Sequence, residues 1–297
     1  MAFTKRADVI IPEILVETMQ GAFVGATALY GSAAVTVNQS LPSGNRGGDT
    51  VTVPYFGTIG EAEDIANEGD ALTPENITAT KEQATTIHTG KAFSVTQFAQ
   101  WASWGDPYQE ASRQMTEVIK RRWDKALIDV ASTNVPSGYV YDATGLANKN
   151  LTYDNILGAR QKWGDEQTRI ALIAVHSDIY FDILKQKDAH GRPLVSMETE
   201  GPDGYRPAMW GGATLVVSDK CKKTAVSGTT YNYESYLLKE KALVIWANGT
   251  PSVDTDKDIL ADASVIAVHH YFVPHRYMRI PGSAKSPAVK VLNQLTL

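Results

Sequence analysis

From Asp106 to Ser132 the chain carries one unbroken helical pattern, and no other stretch limits the fold as strongly. Asp106 stands where an N-cap belongs, Pro107 at the first helical position and Gln109 three residues after the cap. That order resembles a capping box with proline in its favoured place. Apolar residues follow at Tyr108, Ala111, Met115, Val118, Ile119, Trp123, Ala126, Leu127 and Val130, mostly three and four apart. Such spacing predicts one stripe turned toward a core. A helix of this length is about 40 Å long, as long as a small domain is wide. Its densest charged run is Lys120, Arg121, Arg122 and Lys125, and Glu117 with Arg121 forms an i,i+4 pair.

The stretch before the helix has the opposite character. After Val51, Val53, Tyr55 and Phe56, residues 58 to 83 carry Glu61, Glu63, Asp64, Glu68, Asp70, Glu75 and Glu82 against Lys81 alone. Seven acids against one lysine give −6, while the whole chain carries −5. The returning half, from Ile77 to Thr89, holds five threonines and is polar on both faces. A two-stranded ribbon of this kind has no core of its own and is marginal alone in water. It needs an outside surface to lie on.

An acidic extended loop feeding a long capped helix resembles the major capsid proteins of tailed bacteriophages with the HK97 fold. The residues that carry the likeness are Gly48-Asp49-Thr50-Val51-Thr52-Val53-Pro54, Ala62-Glu63-Asp64, Leu72-Thr73-Pro74, Gly90-Lys91-Ala92 and Gly105-Asp106-Pro107. Leu151-Thr152-Tyr153-Asp154 and Val175-His176-Ser177 continue it, with a C-terminal strand. The order of these pieces is specific, rather than any one of them. The resemblance implies an α+β HK97-like fold. Residues 1–48 would be an N-terminal arm and 49–90 the extended β-hairpin loop with its base strand. Residues 91–142 and 257–297 would form a discontinuous peripheral domain around the spine helix, with 143–256 inserted as an α/β axial domain. It further implies assembly of the chain with itself into pentamers and hexamers that close an icosahedral shell around double-stranded DNA. The implied partners are a separate scaffolding protein, a portal and decoration proteins. The implied places are the virion and, during assembly, the host cytoplasm. An encapsulin-like nanocompartment shell would share these features, and a soluble oligomeric α/β enzyme is the alternative from another class.

Composition agrees with a folded protein. With 43% hydrophobic and 21% charged residues the chain is not of the disordered kind. The mild net charge argues against a general nucleic-acid binder and fits a container that encloses DNA without sequence-specific binding. The single cysteine, Cys221, excludes an internal disulfide. No apolar run approaches the roughly 20 residues of a spanning helix, so no membrane role is expected.

Along the chain, Pro12 opens a short helix with Ile14, Leu15, Met19 and Phe23, and glycines follow through Gly48. A short helix is expected over Thr96–Ser103, ended by Gly105. Thr152 should cap a helix holding Ile156, Leu157 and Trp163, and Ser177 a second one holding Ile179, Tyr180, Ile183 and Leu184. Ile170–Val175 is a continuous apolar run and should be a strand buried on both faces. Strands are also expected at Ala213–Val217, Tyr233–Leu238 and Ala242–Trp246. Lys187–Gly212 is a long glycine- and proline-rich loop. Ser264–Val273 is apolar on both faces and should be an interior strand, followed by Ala288–Leu292; the resemblance implies that both pack beside the long helix.

Candidate chemistry is sparse. Asp254, Asp256 and Asp258 resemble the start of a calcium loop, but its sixth and twelfth positions hold Ile259 and Val265 instead of Gly and Glu, so a solvated turn is expected. His269 and His270 point to opposite faces of a strand and cannot share an ion. Lys220, Lys222 and Lys223 around Cys221 favour a thiolate, yet no base accompanies it. No nucleophile elbow, phosphate loop or dinucleotide fingerprint occurs. No catalytic residue, metal or cofactor is therefore expected. The presumptive loop tip Asn67-Glu68-Gly69-Asp70 lacks a lysine, so no Lys–Asn cross-link is expected of the kind some relatives form. The candidate site is an inter-subunit surface. Acidic residues Glu61, Glu63, Asp64, Glu68 and Asp70 of one copy would face Arg121, Arg122 and Lys125 of the next.

Overall fold

The structure, a computed structural model, describes residues 29–38, 49–57, 59–60, 62, 64, 71–102, 107–168, 170–187, 190–195, 209–210, 212–247, 252–258, 262–279 and 285–296. In chain order come β1 (Val35–Asn38), β2 (Thr50–Phe56), β3 (Ala79–Thr85), β4 (Ile87–Thr96), α1 (Gln97–Ala102) and α2 (Pro107–Ser132). Then follow β5 (Val140–Asp142), α3 (Tyr153–Gln161), β6 (Ile170–Val175), α4 (Ser177–Lys185), β7 (Met209–Trp210), β8 (Ala213–Val217) and β9 (Lys223–Ser227). The chain closes with β10 (Thr230–Lys239), β11 (Leu243–Ala247), β12 (Ser252–Asp258), β13 (Ala263–Arg276) and β14 (Ala288–Thr296).

Two sheets share the long helix. The first is built on β13, which pairs with β4 along one edge and with β12 and then β11 along the other; β1 adds to β11 in parallel. With neighbours on both edges, β13 is the interior strand that its two apolar faces require. The second sheet runs β5-β14-β10-β6-β8-β7, with β9 beside the start of β10. Its centre is β6, apolar as expected, lying between β10 and β8. The hairpin of β2 and β3 forms a sheet of its own, from Thr50 opposite Thr85 to Phe56 opposite Ala79.

One face of α2 closes the larger core. Met115, Ile119, Trp123, Leu127 and Ile128 cluster with Val268 and Phe272 of the first sheet and with Leu172, Tyr236 and Leu238 of the second. Truncating a buried Trp or Leu in such a core costs about 2–5 kcal/mol. On the second sheet's other face, α3 and α4 supply Ile156, Ala159, Ile179 and Ile183, and Trp163 joins them. The Trp163 indole N–H is satisfied there by the Ser286 carbonyl at 2.8 Å. Gly158 in α3 leaves room for the Tyr141 ring, 2.7 Å from the position of its Cβ, so a side chain there would push the ring aside.

Several sequence expectations change in three dimensions. The buried face of α2 is rotated from the expected stripe: Val118 is exposed, while Lys120, Asp124, Ile128 and Ala131 are buried. Long stems and short polar heads reach the edge of the contact, so a purely apolar pattern misplaces its centre. Glu117 pairs with Lys120 at 3.7 Å rather than with Arg121, whose Nε donates to the Glu117 backbone carbonyl at 3.3 Å. Thr152 caps α3 as expected, accepting from the Asn155 N–H, but α4 is capped by His176, whose Nδ1 accepts from the Asp178 N–H at 3.2 Å. Asp254, Asp256 and Asp258 lie on β12, paired to β13, and not on a turn. The expected grouping of segments also shifts. Ala288–Thr296 pairs with β10 in the second sheet, and Leu243–Ala247 pairs with β13 in the first. The Asp106 cap, Gly105 and the Pro12 helix fall outside the described residues.

Candidate assembly interface

The hairpin of β2 and β3 is fastened at its root. Val51 and Ala84, opposite one another, are buried with Val244, Trp246 and Val273 of the first sheet. Two residues outward, Glu82 turns to the same inner side. Its Oε2 lies 2.7 Å from His275 Nε2, and its Oε1 accepts from the Met278 N–H at 3.1 Å. Further out, the Arg279 guanidinium stands over the Tyr55 ring, 5.8 Å from its centre. The hairpin therefore follows β13 past its C-terminal end and leaves the body there.

Beyond the root nothing of the same chain covers it, among the described residues. Residues 71–80 are all exposed, and Phe56, Ile59, Leu72 and Ile77 put large apolar side chains into solvent, Phe56 to 75%. The Glu75 carboxylate accepts from the Gly60 N–H at 2.9 Å and so ties the outgoing limb to the returning one. Of the five acidic site candidates, Asp64 is exposed; Glu61, Glu63, Glu68 and Asp70 lie outside the described residues. Glu82, one of the arm's seven acids, is an anchor. Its signal in the sequence is its alternation with Ala84 opposite Val51 and Val53, a carboxylate set into an inward apolar row.

The basic candidates share a face of α2. Arg121 and Lys125 are exposed and Arg122 is half-buried, at i,i+4 and i,i+3 spacing. A fourth cation joins them from the turn between β8 and β9, which sequence spacing could not reveal. The Lys220 ammonium donates to the Arg121 carbonyl. Burial first, then the like charges of Arg121 and Lys125, lower its pKa against the pull of Asp124. Nearer the start of α2, Arg113 and Glu110 form an exposed pair at 2.7 Å, and the Arg113 hydrogen bond holds the Glu110 carboxyl at about 2.

The other candidates for chemistry turn out to be structural. Cys221 is buried, and its thiol is pushed up to about 12 by burial and by Asp219 and Glu234, which overturns the thiolate expected from its three lysine neighbours. Those lysines point elsewhere: Lys222 to Glu234 at 3.3 Å and Lys223 to Asp178 at 2.7 Å. His269 and His270 face opposite ways; His270 lies against Trp123 in the core, and His269 lies near His88. Among the described residues no group of three His, Cys, Asp or Glu could hold a metal ion, and no helix is long and apolar enough to cross a membrane.

A two-sheet body with a rooted arm that the described residues leave uncovered suits a protein that associates through its surface. Residues 80–280 match the family model described as phage capsid protein, and the chain belongs to that family. It is 25% identical over 284 residues to the major capsid protein of Bacillus phage SPP1, covering 93% of this chain and 86% of that protein. The fold is that of solved phage capsids. The cyanophage Pam1 capsid asymmetric unit matches with a TM-score of 0.64 at 13% identity, over 99% of this chain and 97% of the other. The capsid of Ralstonia phage GP4 also gives 0.64, at 8% identity, over 91% and 92%. The family is structural, so this chain is a shell-forming phage protein and not an enzyme.

Proposed function

We propose that copies of this chain join into pentamers and hexamers and close the icosahedral shell of a tailed phage around its double-stranded DNA. The observation that carries this reading is the arm: rooted through Glu82 and His275, yet with Leu72 and Ile77 exposed and, among the described residues, no surface of its own chain beneath them. In this reading α2 is the spine helix, and residues 1–48 are an N-terminal arm. The first sheet is the core of the peripheral domain, and the second, with α3 and α4, is the axial domain. The strand pairings support assigning 243–247 to the peripheral and 288–296 to the axial domain. A separate scaffolding protein, a portal and decoration proteins complete the particle, which assembles in the host cytoplasm.

The acidic arm residues Glu61, Glu63, Asp64, Glu68 and Asp70 face the Arg121, Arg122 and Lys125 surface of an adjoining copy, where Lys220 adds a fourth charge. Each exposed pair contributes only about 0–1 kcal/mol. Repetition over a shell makes the sum matter, and the charges chiefly set register and encounter rate. The test is Glu63→Lys with Asp64→Lys. Assembly should slow or fail and the unfolding midpoint of the free subunit should stay put. Normal particles at a normal rate would sink the charge pairing.

A further inference from the structure

The face of the first sheet turned away from α2 carries a side-chain cluster that shell formation does not use. On β13, Val268, His270 and Phe272 point to the core, so His269 and Tyr271 point outward. Across the β4–β13 pair, His88 lies opposite Tyr271 and Gly90 opposite His269. Residues opposite one another share a face, so the two imidazoles stand on the same outer side, diagonal to each other. Their ring centres are 5.4 Å apart and their planes 33° from parallel. His88 is exposed and His269 half-buried, so the pair opens to solvent.

Packing holds both rings in place. The Tyr271 ring lies on His88 at 4.2 Å, 7° from parallel. His269 leans over Gly90, where a Cβ would come within 2.8 Å of its Nδ1. That nitrogen is buried and makes no hydrogen bond, which leaves Nε2 to face an incoming group. On β12, Ser252 lies opposite His269, and Asp254, two residues on, puts a carboxylate on the same outer side. Asp256 and Asp258 continue the row and make this side of the sheet attractive to cations.

Two imidazoles on one tetrahedral ion, each nitrogen about 2.0–2.1 Å from it, have ring centres about 5 Å apart. The spacing of His88 and His269 fits that geometry. Imidazole suits zinc, nickel and copper, whereas magnesium and calcium take oxygen ligands. We propose that His88 and His269 form a two-histidine chelate for a divalent transition-metal ion, with water at its remaining positions. Among the described residues no third His, Cys, Asp or Glu completes the set, so the site is open and its affinity moderate. An ion bound there ties β4 to β13 where the chain returns from the arm, and stabilises the folded subunit by mass action. The proposal stands apart from the shell-forming reading and does not depend on it.

The test is calorimetric titration of the full, untagged chain with Ni2+. One ion per chain should bind, with a dissociation constant in the micromolar range, and Mg2+ should not bind at the same concentrations. His88→Gln and His269→Gln should each weaken binding about tenfold or more, because the second ligand of a chelate acts at high effective concentration. His190→Gln, at an exposed histidine on another loop, should leave it unchanged. Ni2+ should raise the unfolding midpoint of the unmodified chain and of neither chelate variant. Absence of binding at millimolar Ni2+, or binding that either chelate variant leaves unchanged, overturns the proposal. If a variant fails to fold, electron paramagnetic resonance of Cu2+ on the unmodified chain decides: two nitrogen ligands are expected, and one or none overturns the proposal.

Discussion

Glu82 and His275, 193 residues apart in sequence, meet at 2.7 Å with both side chains buried, and they join the arm to the body. The same carboxylate accepts the Met278 N–H. Glu82→Ala leaves the buried His275 ring and the half-buried Met278 N–H without their partner, the first at a cost of about 1–3 kcal/mol. The expected result is a lower unfolding midpoint together with faster protease cleavage at the arm's root in free subunits. Cleavage at the unmodified rate would show that the arm is held by its apolar root alone.

The rotated face of α2 separates two neighbours in sequence. Ile119→Ala removes a buried side chain and should cost about 2–5 kcal/mol in denaturant unfolding. Val118→Ala, on the exposed side, should stay within about 0.5 kcal/mol of the unmodified chain. Equal losses at the two positions would restore the stripe expected from spacing.

Glu234 joins α2, β10 and β14. Its carboxylate takes hydrogen bonds from Ser132 and Tyr236 and pairs with Lys290 at 2.9 Å and Lys222 at 3.3 Å. Burial raises its pKa, but the bonds from Lys290 and Tyr236 and the two lysine charges outweigh it, so the group stays below its usual value. A depressed folded pKa means a contribution fully present above the unfolded value of about 4.3 and lost as pH falls through the folded one. Unfolding free energy followed from pH 6 to pH 3 should fall less steeply in Glu234→Gln than in the unmodified chain. Parallel curves would remove Glu234 from the acid response.

Cys221 should be inert. Burial pushes its thiol up to about 12, and the side chain is out of reach of reagent. A chromogenic disulfide reagent at pH 8 should leave the native subunit unlabelled and label one thiol per chain after unfolding. Rapid labelling of the native form would place the thiol at the surface.

What could be read from residues alone was what is locally encoded. The body of α2, the Thr152 cap, the apolar β6 and the two-faced β13 all follow from spacing and capping over a few residues. What escaped depends on contacts across the chain. Leu243–Ala247 looks like one more strand after Tyr233–Leu238, and only pairing with Val273 and its neighbours moves it into the other sheet. Ala288–Thr296 is reassigned in the same way by β10. Lys220 joins the basic face only because a turn 99 residues away folds back on Arg121. Glu82 was hidden by the charge of its surroundings, although its alternation with Ala84 pointed inward.

A shell-forming chain must build closed shells from copies of itself. It is tested by electron microscopy of the purified protein, first alone and then with the proposed scaffolding protein, beside a sizing column. Closed, uniform shells are expected in one of these preparations, with the arm cut by protease in free subunits and protected in particles. A monomer or small closed oligomer that never forms shells, with the arm already protected, would contradict it.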